Sequence, residues 1–275
     1  MKPLVVTLRG RPDQRLDLAP LVPHRLAGMT AAEIERIELQ TTRKRVLLAD
    51  VFRLRMGDAA QTRIEASCDR LDRIGHEMTA GEIVVEGDVG ARAGRLMTDG
   101  RLTIHGSVGP WAASGMKGGT IEIFGHAGDR LGGPGPGEIA GMRGGVVLVH
   151  GRVGERAGDR MRRGTIVVEG DAGAYAGSRM IAGTLVVVGR SGLLPGYLMR
   201  RGTIVLGDKA VGLSPTFIDC GVHDLIAARL IADFIGGYSA RAAKLFRRPL
   251  RRFAGDMAAL GKGEIFCAEG ILRRR

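Results

Sequence analysis

Six cations stand just ahead of strand-like runs in the middle of the chain: Lys117, Arg143, Arg162, Arg163, Arg200 and Arg201. A second set, Arg92, Arg130 and Arg156, recurs inside glycine-rich segments. Like charges held one repeat apart repel each other, so a ladder of this kind invites an acidic ligand or partner. The plainer reading is a solvated face with local counter-charges such as Glu155 and Asp159. Catalytic patterns are missing. His24, His76, His105, His126, His150 and His223 form no H-x-x-x-H or H-E-x-x-H pair, and Cys68, Cys220 and Cys267 match no zinc or iron–sulfur spacing. There is no G-x-S-x-G nucleophile elbow and no phosphate loop ending in Gly-Lys-Ser/Thr. The residues predict a binding surface, with no metal site and no catalytic group of its own.

The elements that must position these cations follow from a count of glycines. Gly81, Gly100, Gly119, Gly145, Gly164, Gly183 and Gly202 each precede a β-rich run. They are 19 residues apart at every step but one, where Gly119 to Gly145 spans 26. The surplus is a glycine–proline insertion, GPGPGEI at 133–139, expected as a surface loop between two coils. A G-x-x-G-x-x-x-G signature follows five of the strands in phase, as in Gly87, Gly90 and Gly94 or Gly151, Gly154 and Gly158, while one coil has Gly106 and Gly109 but Ala113 at the third place. A fixed period of this length predicts stacked coils. The expected fold is all-β, a right-handed β-helix of about 19 residues per coil, with a short N-terminal cap at 1–45, the solenoid at 46–207 and an α-helical basic tail at 208–275.

Within the runs, two alternate columns are apolar throughout, for example Ile83, Leu102, Ile121 and Ile166 in one, and Val85, Ile104, Ile123 and Val168 in the other. Side chains alternate faces along a strand, so these columns share the interior. A methionine stands three residues before each strand glycine, from Met78 to Met199. A thioether column is a soft-metal candidate, but flexible methionine filling a repeated corner is the stronger reading. The position between the two interior columns should face outward, yet Val84, Leu148, Val167, Val186 and Val205 are apolar there. Such a stripe needs a cover, either the chain's own tail or a partner protein. A helix over 223–235 is expected to place Leu225, Ile226, Leu230, Ile231 and Phe234 along one stripe.

Charge is concentrated in the tail. Residues 241–275 hold ten Lys/Arg against three Asp/Glu, while 75–207 hold fifteen against twelve. No aromatics interleave the tail arginines, so a solvated or partner-facing tail is expected and not a nucleic-acid surface. No run approaches the length of a membrane span, and the separated cysteines suit a reducing compartment, so the expected place is the cytoplasm, away from membranes.

A strict 19 breaks the phase of hexapeptide acyltransferases, and no outward Asp ladder of the pectin-lyase kind is present. The iterated glycine signature with a strand between copies resembles the C-terminal β-helical domain of glutamate synthase. More closely, it resembles the C subunit of formylmethanofuran dehydrogenase, through residues 34–207, IGHEMTAGEI at 74–83 and, more weakly, FAGDMAALGKGEI at 253–265. Only six of the 41 basic residues are lysine, which favours the bacterial formyltransferase/hydrolase branch over the archaeal redox enzyme. Membership in that branch implies a complex that moves a formyl group between a tetrahydromethanopterin carrier and a furan carrier, then releases formate. It implies a non-catalytic scaffold bound to hydrolase-like and formyltransferase subunits, holding no cofactor tightly. The polyglutamate tail of methylofuran or methanofuran is then the acidic ligand expected on Lys117, Arg143, Arg162, Arg163, Arg200 and Arg201. The alternatives are the C subunit of an archaeal-type dehydrogenase or a detached glutamate synthase-like domain.

Overall fold

The structure, a computed structural model, describes residues 2–41, 44–210, 212–224 and 226–268. Its centre is a run of parallel strands one coil apart: β8 (Glu82–Gly87), β9 (Arg101–Ile104), β10 (Thr120–Ile123), β11 (Arg143–Val149), β12 (Arg163–Val168), β13 (Thr184–Val187) and β14 (Arg201–Leu206). Ile83 pairs with Leu102, Leu102 with Ile121, Ile121 with Val147, Val147 with Ile166, Ile166 with Leu185 and Leu185 with Ile204. The expected columns therefore stack in register, and every member of this one is fully buried. Register survives the 26-residue interval because 133–139 leaves the strand ladder, with its end at Pro136, Gly137 and Ile139 exposed, and Thr120 still pairs with Val146. A second parallel ladder of single bridges runs Val89, Val108, Ala127, Val153, Ala172 and Ser191, closing each coil on its other side. Together these make a mostly β, solenoid-like fold.

Methionine and glycine fit together at one corner. All seven methionines from Met78 to Met199 are fully buried. Each methyl group occupies the space where the strand glycine of the next coil lacks a Cβ: one built at Gly164 lies 2.8 Å from the Met142 methyl carbon. The corner is packing, as the stronger sequence reading has it.

Both ends depart from the regular coil. At the N-terminus β1 (Pro3–Leu8) joins the large sheet, parallel to β6 (Asp58–Ser67) and antiparallel to β5 (Phe52–Arg55). Beside it, β2 (Leu16–Asp17), β3 (Glu38–Thr41), β4 (Val46–Leu47) and β7 (Leu71–Asp72) form a small sheet. The short helices α1 (Pro23–Leu26), α2 (Ala31–Glu35) and α3 (Leu48–Val51) bury Leu26, Ile34 and Leu48 against the same core.

The tail is not simply α-helical. It contains β15 (Ile218–His223), α4 (Ile226–Gly236), α5 (Ala240–Ala243), β16 (Leu250–Gly255) and β17 (Lys262–Ala268). β17 pairs parallel to β14, with Ile265 beside Ile204 and Cys267 beside Leu206, and β16 and β15 add antiparallel outside it. The physical reason is the open edge of β14, which a helix cannot satisfy and a strand continuing the interior columns can. The basic run RRPLRR at 247–252 is partly neutralised, since Arg251 meets Asp219 at 2.9 Å and Arg252 meets Glu264 at 2.7 Å. The final RRR lies outside the described residues.

Four of the five stripe residues are covered by the chain itself: Leu148, Val167, Val186 and Val205 are buried beneath Ala232, Ile235, Ala242, Leu245, Phe246, Leu250 and Phe266. Those four are therefore no sign of a partner, while Val84 is half-buried and lies outside that cluster. The helix contacts this face with Ala232, Ile235 and the expected Ile231, which is partly buried there, while Leu230, at 71 % exposure, and Phe234 are exposed. A flat sheet face admits close helix approach through a small residue such as Ala232, and that turns Leu230 and Phe234 aside. Leu225 and the side chain of Ile226 lie outside the described residues.

Candidate functional site

The six cations are all exposed, and none forms an ion pair among the described residues. Their backbone explains which of them come together. The amides of Lys117, Arg143, Arg162 and Arg200 donate to the carbonyls of Met97, Met116, Met142 and Met180, at 2.6–2.8 Å. They occupy one position in successive coils, but the coil between Arg162 and Arg200 has Ile181 there, donating to Met161 at 2.8 Å. Lys117, Arg143 and Arg162 thus form a ladder about 4.8 Å per step, and Arg200 lies two steps on. Arg163 and Arg201 begin β12 and β14; Arg163 is beside Arg143, and Arg201 is beside Lys262, a cation that period counting misses because it arrives with β17.

Arg162 and Arg200 also line a groove with Arg160, Arg179, Ile181 and Leu198, of about 670 Å³. One wall carries Ile139 from the glycine–proline insertion, and the other is the turn holding Ala258, Ala259 and Leu260. Arg160, Arg179 and Leu198 recur every 19 residues with φ of 50°, 52° and 55°. A left-handed corner where sequence reading expects glycine holds side chains instead, so these residues escape notice although they share the period. Arg179 reaches into the wall of the solenoid, where Asp159, fully buried, accepts from its Nε at 2.9 Å, from its Nη2, and from the Ser178 hydroxyl at 2.9 Å.

The second cation set behaves differently. Arg92, Trp111, Arg130, Arg156 and Tyr175 are in one left-handed column, each amide donating to the next coil. Trp111 lies between Arg92 at 5.8 Å and Arg130 at 5.7 Å, and Arg156 covers Tyr175 at 4.6 Å. Trp111 separates Arg92 from Arg130, two like charges that a bare arginine ladder would bring closer, and Tyr175 gives Arg156 an aromatic face on its far side. Taken by residue type alone, Trp111 and Tyr175 give no hint of this; taken by phase, they fall in the arginine column.

His105 and His150 stack on either side of Phe124, at 4.9 and 4.7 Å. His150 bonds Glu122 through Nε2 and Glu169 through Nδ1, both at 2.9 Å. Burial disfavours its cation, but the two carboxylates outweigh burial and raise its pKa above the ordinary 6.5. Burial pushes Glu169 up, but the Ser239 hydroxyl and His150 outweigh it and hold that carboxyl below 4.5, with Arg241 adding to the effect. Ser239 donates to Glu169 at 2.5 Å and accepts from the Ala242 amide at 3.0 Å as the N-cap of α5, so the cluster ties the helical tail to the sheet. The raised His150 contributes stability in full below 6.5 and loses it as pH rises through its folded value. The depressed Glu169 contributes above 4.5 and loses it as pH falls through its folded value. The wild-type advantage in Tm over His150→Gln should be greatest near pH 6 and shrink toward pH 9. A difference that stays constant across that range would show that charge plays no part.

Among the described residues, no three of His, Cys, Asp and Glu converge as a metal site. No described helix is long and apolar enough to cross a membrane. No family model matches the chain. It is 51 % identical over 259 residues to the C subunit of the formyltransferase/hydrolase complex Fhc of Methylorubrum extorquens, covering 94 % of this chain and 97 % of that protein. It is 34 % identical over 92 residues to the C subunit of the tungsten-containing formylmethanofuran dehydrogenase 2 of Methanococcus maripaludis, covering 33 % of this chain and 34 % of that one. A chain in the X-ray crystal structure of the formyltransferase/hydrolase complex (FhcABCD) from Methylorubrum extorquens, in complex with methylofuran, superposes with a TM-score of 0.93 at 44 % identity, covering 97 % of this chain and 100 % of that chain. The similarity thus includes the irregular ends as well as the periodic coils, and on that ground the chain belongs to the C-subunit family of formyltransferase/hydrolase complexes.

Proposed function

We propose that this chain is the non-catalytic scaffold subunit of a formyltransferase/hydrolase complex in tetrahydromethanopterin- and methylofuran-linked one-carbon metabolism, working in the cytoplasm. The observation that carries this reading is the match along almost the whole length of a C subunit, in sequence and in fold. The coils are read as a right-handed β-helix, the hand that parallel crossovers nearly always take. Residues 1–45 serve as the N-terminal cap, 46–207 as the solenoid and 208–275 as the basic tail that closes it. Hydrolase-like and formyltransferase partners supply the chemistry.

The cation ladder contacts the acidic tail of the furan carrier, with Lys117, Arg143, Arg162, Arg163, Arg200 and Arg201 as the contact residues. Their exposure and their lack of ion-paired carboxylates among the described residues suit a polyanion, which gains from several unpaired charges at short spacing. No tightly held cofactor is assigned to this chain alone. Reversing Arg162, Arg163, Arg200 and Arg201 to Glu should lower carrier retention in the purified, assembled complex by about tenfold or more. Carrier content equal to wild type would remove the ladder from the carrier's path. The purified chain by itself should show neither hydrolase nor formyltransferase activity; turnover by the lone chain would overturn the scaffold reading.

A further inference from the structure

We infer that the groove between the insertion at 133–139 and the turn at 256–261 receives an extended segment of a partner protein in the complex, one carrying both carboxylates and apolar side chains. The inference rests on the chain being a subunit of the complex. The groove shares Arg162 and Arg200 with the cation ladder, but its apolar walls, Ile139 and Leu260, are explained by neither the repeat nor the carrier contact.

Both walls depart from the 19-residue coil, and each is fastened by a carboxylate. In the insertion, Glu138 folds back to accept from the Gly135 amide at 2.9 Å and pairs with Arg95 of an earlier coil. Burial pushes the Glu138 carboxyl up, but that amide and the cations Arg95 and Arg143 hold it below its ordinary range. In the turn, Asp256 is buried and accepts from the Leu198 amide and the Ala258 amide, both at 2.9 Å. The groove is therefore set before anything enters it, which reduces the ordering an occupant has to bear.

Its surface is mixed in a way that narrows the occupant. Arg179 is neutralised by Asp159, but Arg160, Arg162 and Arg200 have no carboxylate partner among the described residues. Beside them, Ile139 is 73 % exposed and Leu260 is 48 % exposed, on opposite walls of the same groove. Scattered apolar residues on a surface mean little, but two that line the same basic channel mark a contact surface. A polymer of carboxylates alone would leave both apolar walls in water. A protein segment with acidic and apolar side chains satisfies both. Arg162 and Arg200 are two coils apart, about 10 Å, and an extended chain covers that distance in about three residues.

The test uses the full chain co-expressed with the other subunits of the complex. A photo-crosslinking benzoylphenylalanine at Ile139, and separately at Leu260, should join this chain to one peptide of another subunit that contains acidic and apolar residues. Two pairs of substitutions provide the second reading, Ile139→Ser with Leu260→Ser and Arg162→Glu with Arg200→Glu. Each should weaken partner retention at moderate salt by about tenfold. Arg163→Glu with Arg201→Glu lies outside the groove and should spare partner retention while lowering carrier content. Crosslinks only to the carrier or only to a second copy of this chain would overturn the proposal, as would full partner retention by the serine pair. If the wild-type chain fails to assemble with the other subunits at all, the scaffold reading itself falls; if it assembles normally but leaves the groove uncrosslinked, only the groove proposal does.

Discussion

Replacing Gly164 by alanine should cost the chain about 3 kcal/mol and lower its Tm by several degrees. Gly164 has φ of +96°, and a Cβ there lies 2.8 Å from the Gly145 carbonyl oxygen and 2.8 Å from the Met142 methyl carbon. The oxygen belongs to the neighbouring coil's backbone and cannot retreat without opening the stack. The backbone conformation contributes roughly 1 kcal/mol of this and the clash contributes the rest. Gly137 separates the two effects. Its φ is +78°, but nothing lies within 4 Å of a Cβ there, so Gly137→Ala should cost only about 1 kcal/mol. Thermal melts of the two variants make the comparison; equal losses would mean that the methionine corner does not need the glycine.

Arg179→Met is expected to destabilise the chain by about 3 kcal/mol. The residue looks replaceable from the sequence, being one arginine among many. In the structure it is the partner of Asp159, which has 1 % exposure and otherwise keeps, among the described residues, only the Ser178 hydroxyl. Removing the cation leaves a buried carboxylate without its counter-charge, which costs more than the pair contributes when intact. Because Arg179 is partly exposed, water recovers some of the loss, and the lower end of the range for buried pairs applies. Changing Asp159 to Asn in the same chain should recover at least about 1 kcal/mol, a coupling that a double-mutant cycle reads directly. Additive losses would show that the two side chains do not act together.

These two sites illustrate how the molecule divides between period and context. Spacing alone determined the coil length, the interior columns, the methionine corner and the extruded loop. The reason is that stacking places residues 19 apart in direct contact: Ile166 meets Leu185 in space because it meets it in phase, and the glycines stand where the next backbone passes. The ladder of Lys117, Arg143 and Arg162 was legible for the same reason. Long-range closure was not. The covering of Val167, Val186 and Val205 by the tail, the return of β17 beside β14 and the pairing of Arg179 with Asp159 depend on where segments without a period come to rest. The left-handed corners that hold Arg160 and Trp111 run against the local preference for glycine and exist because neighbouring coils bond their amides. The groove shows the division most clearly. Its floor of Arg162, Ile181 and Arg200 is periodic and was open to counting, whereas its walls, Ile139 and Leu260, are 121 positions apart in the chain and are brought together only by the completed fold.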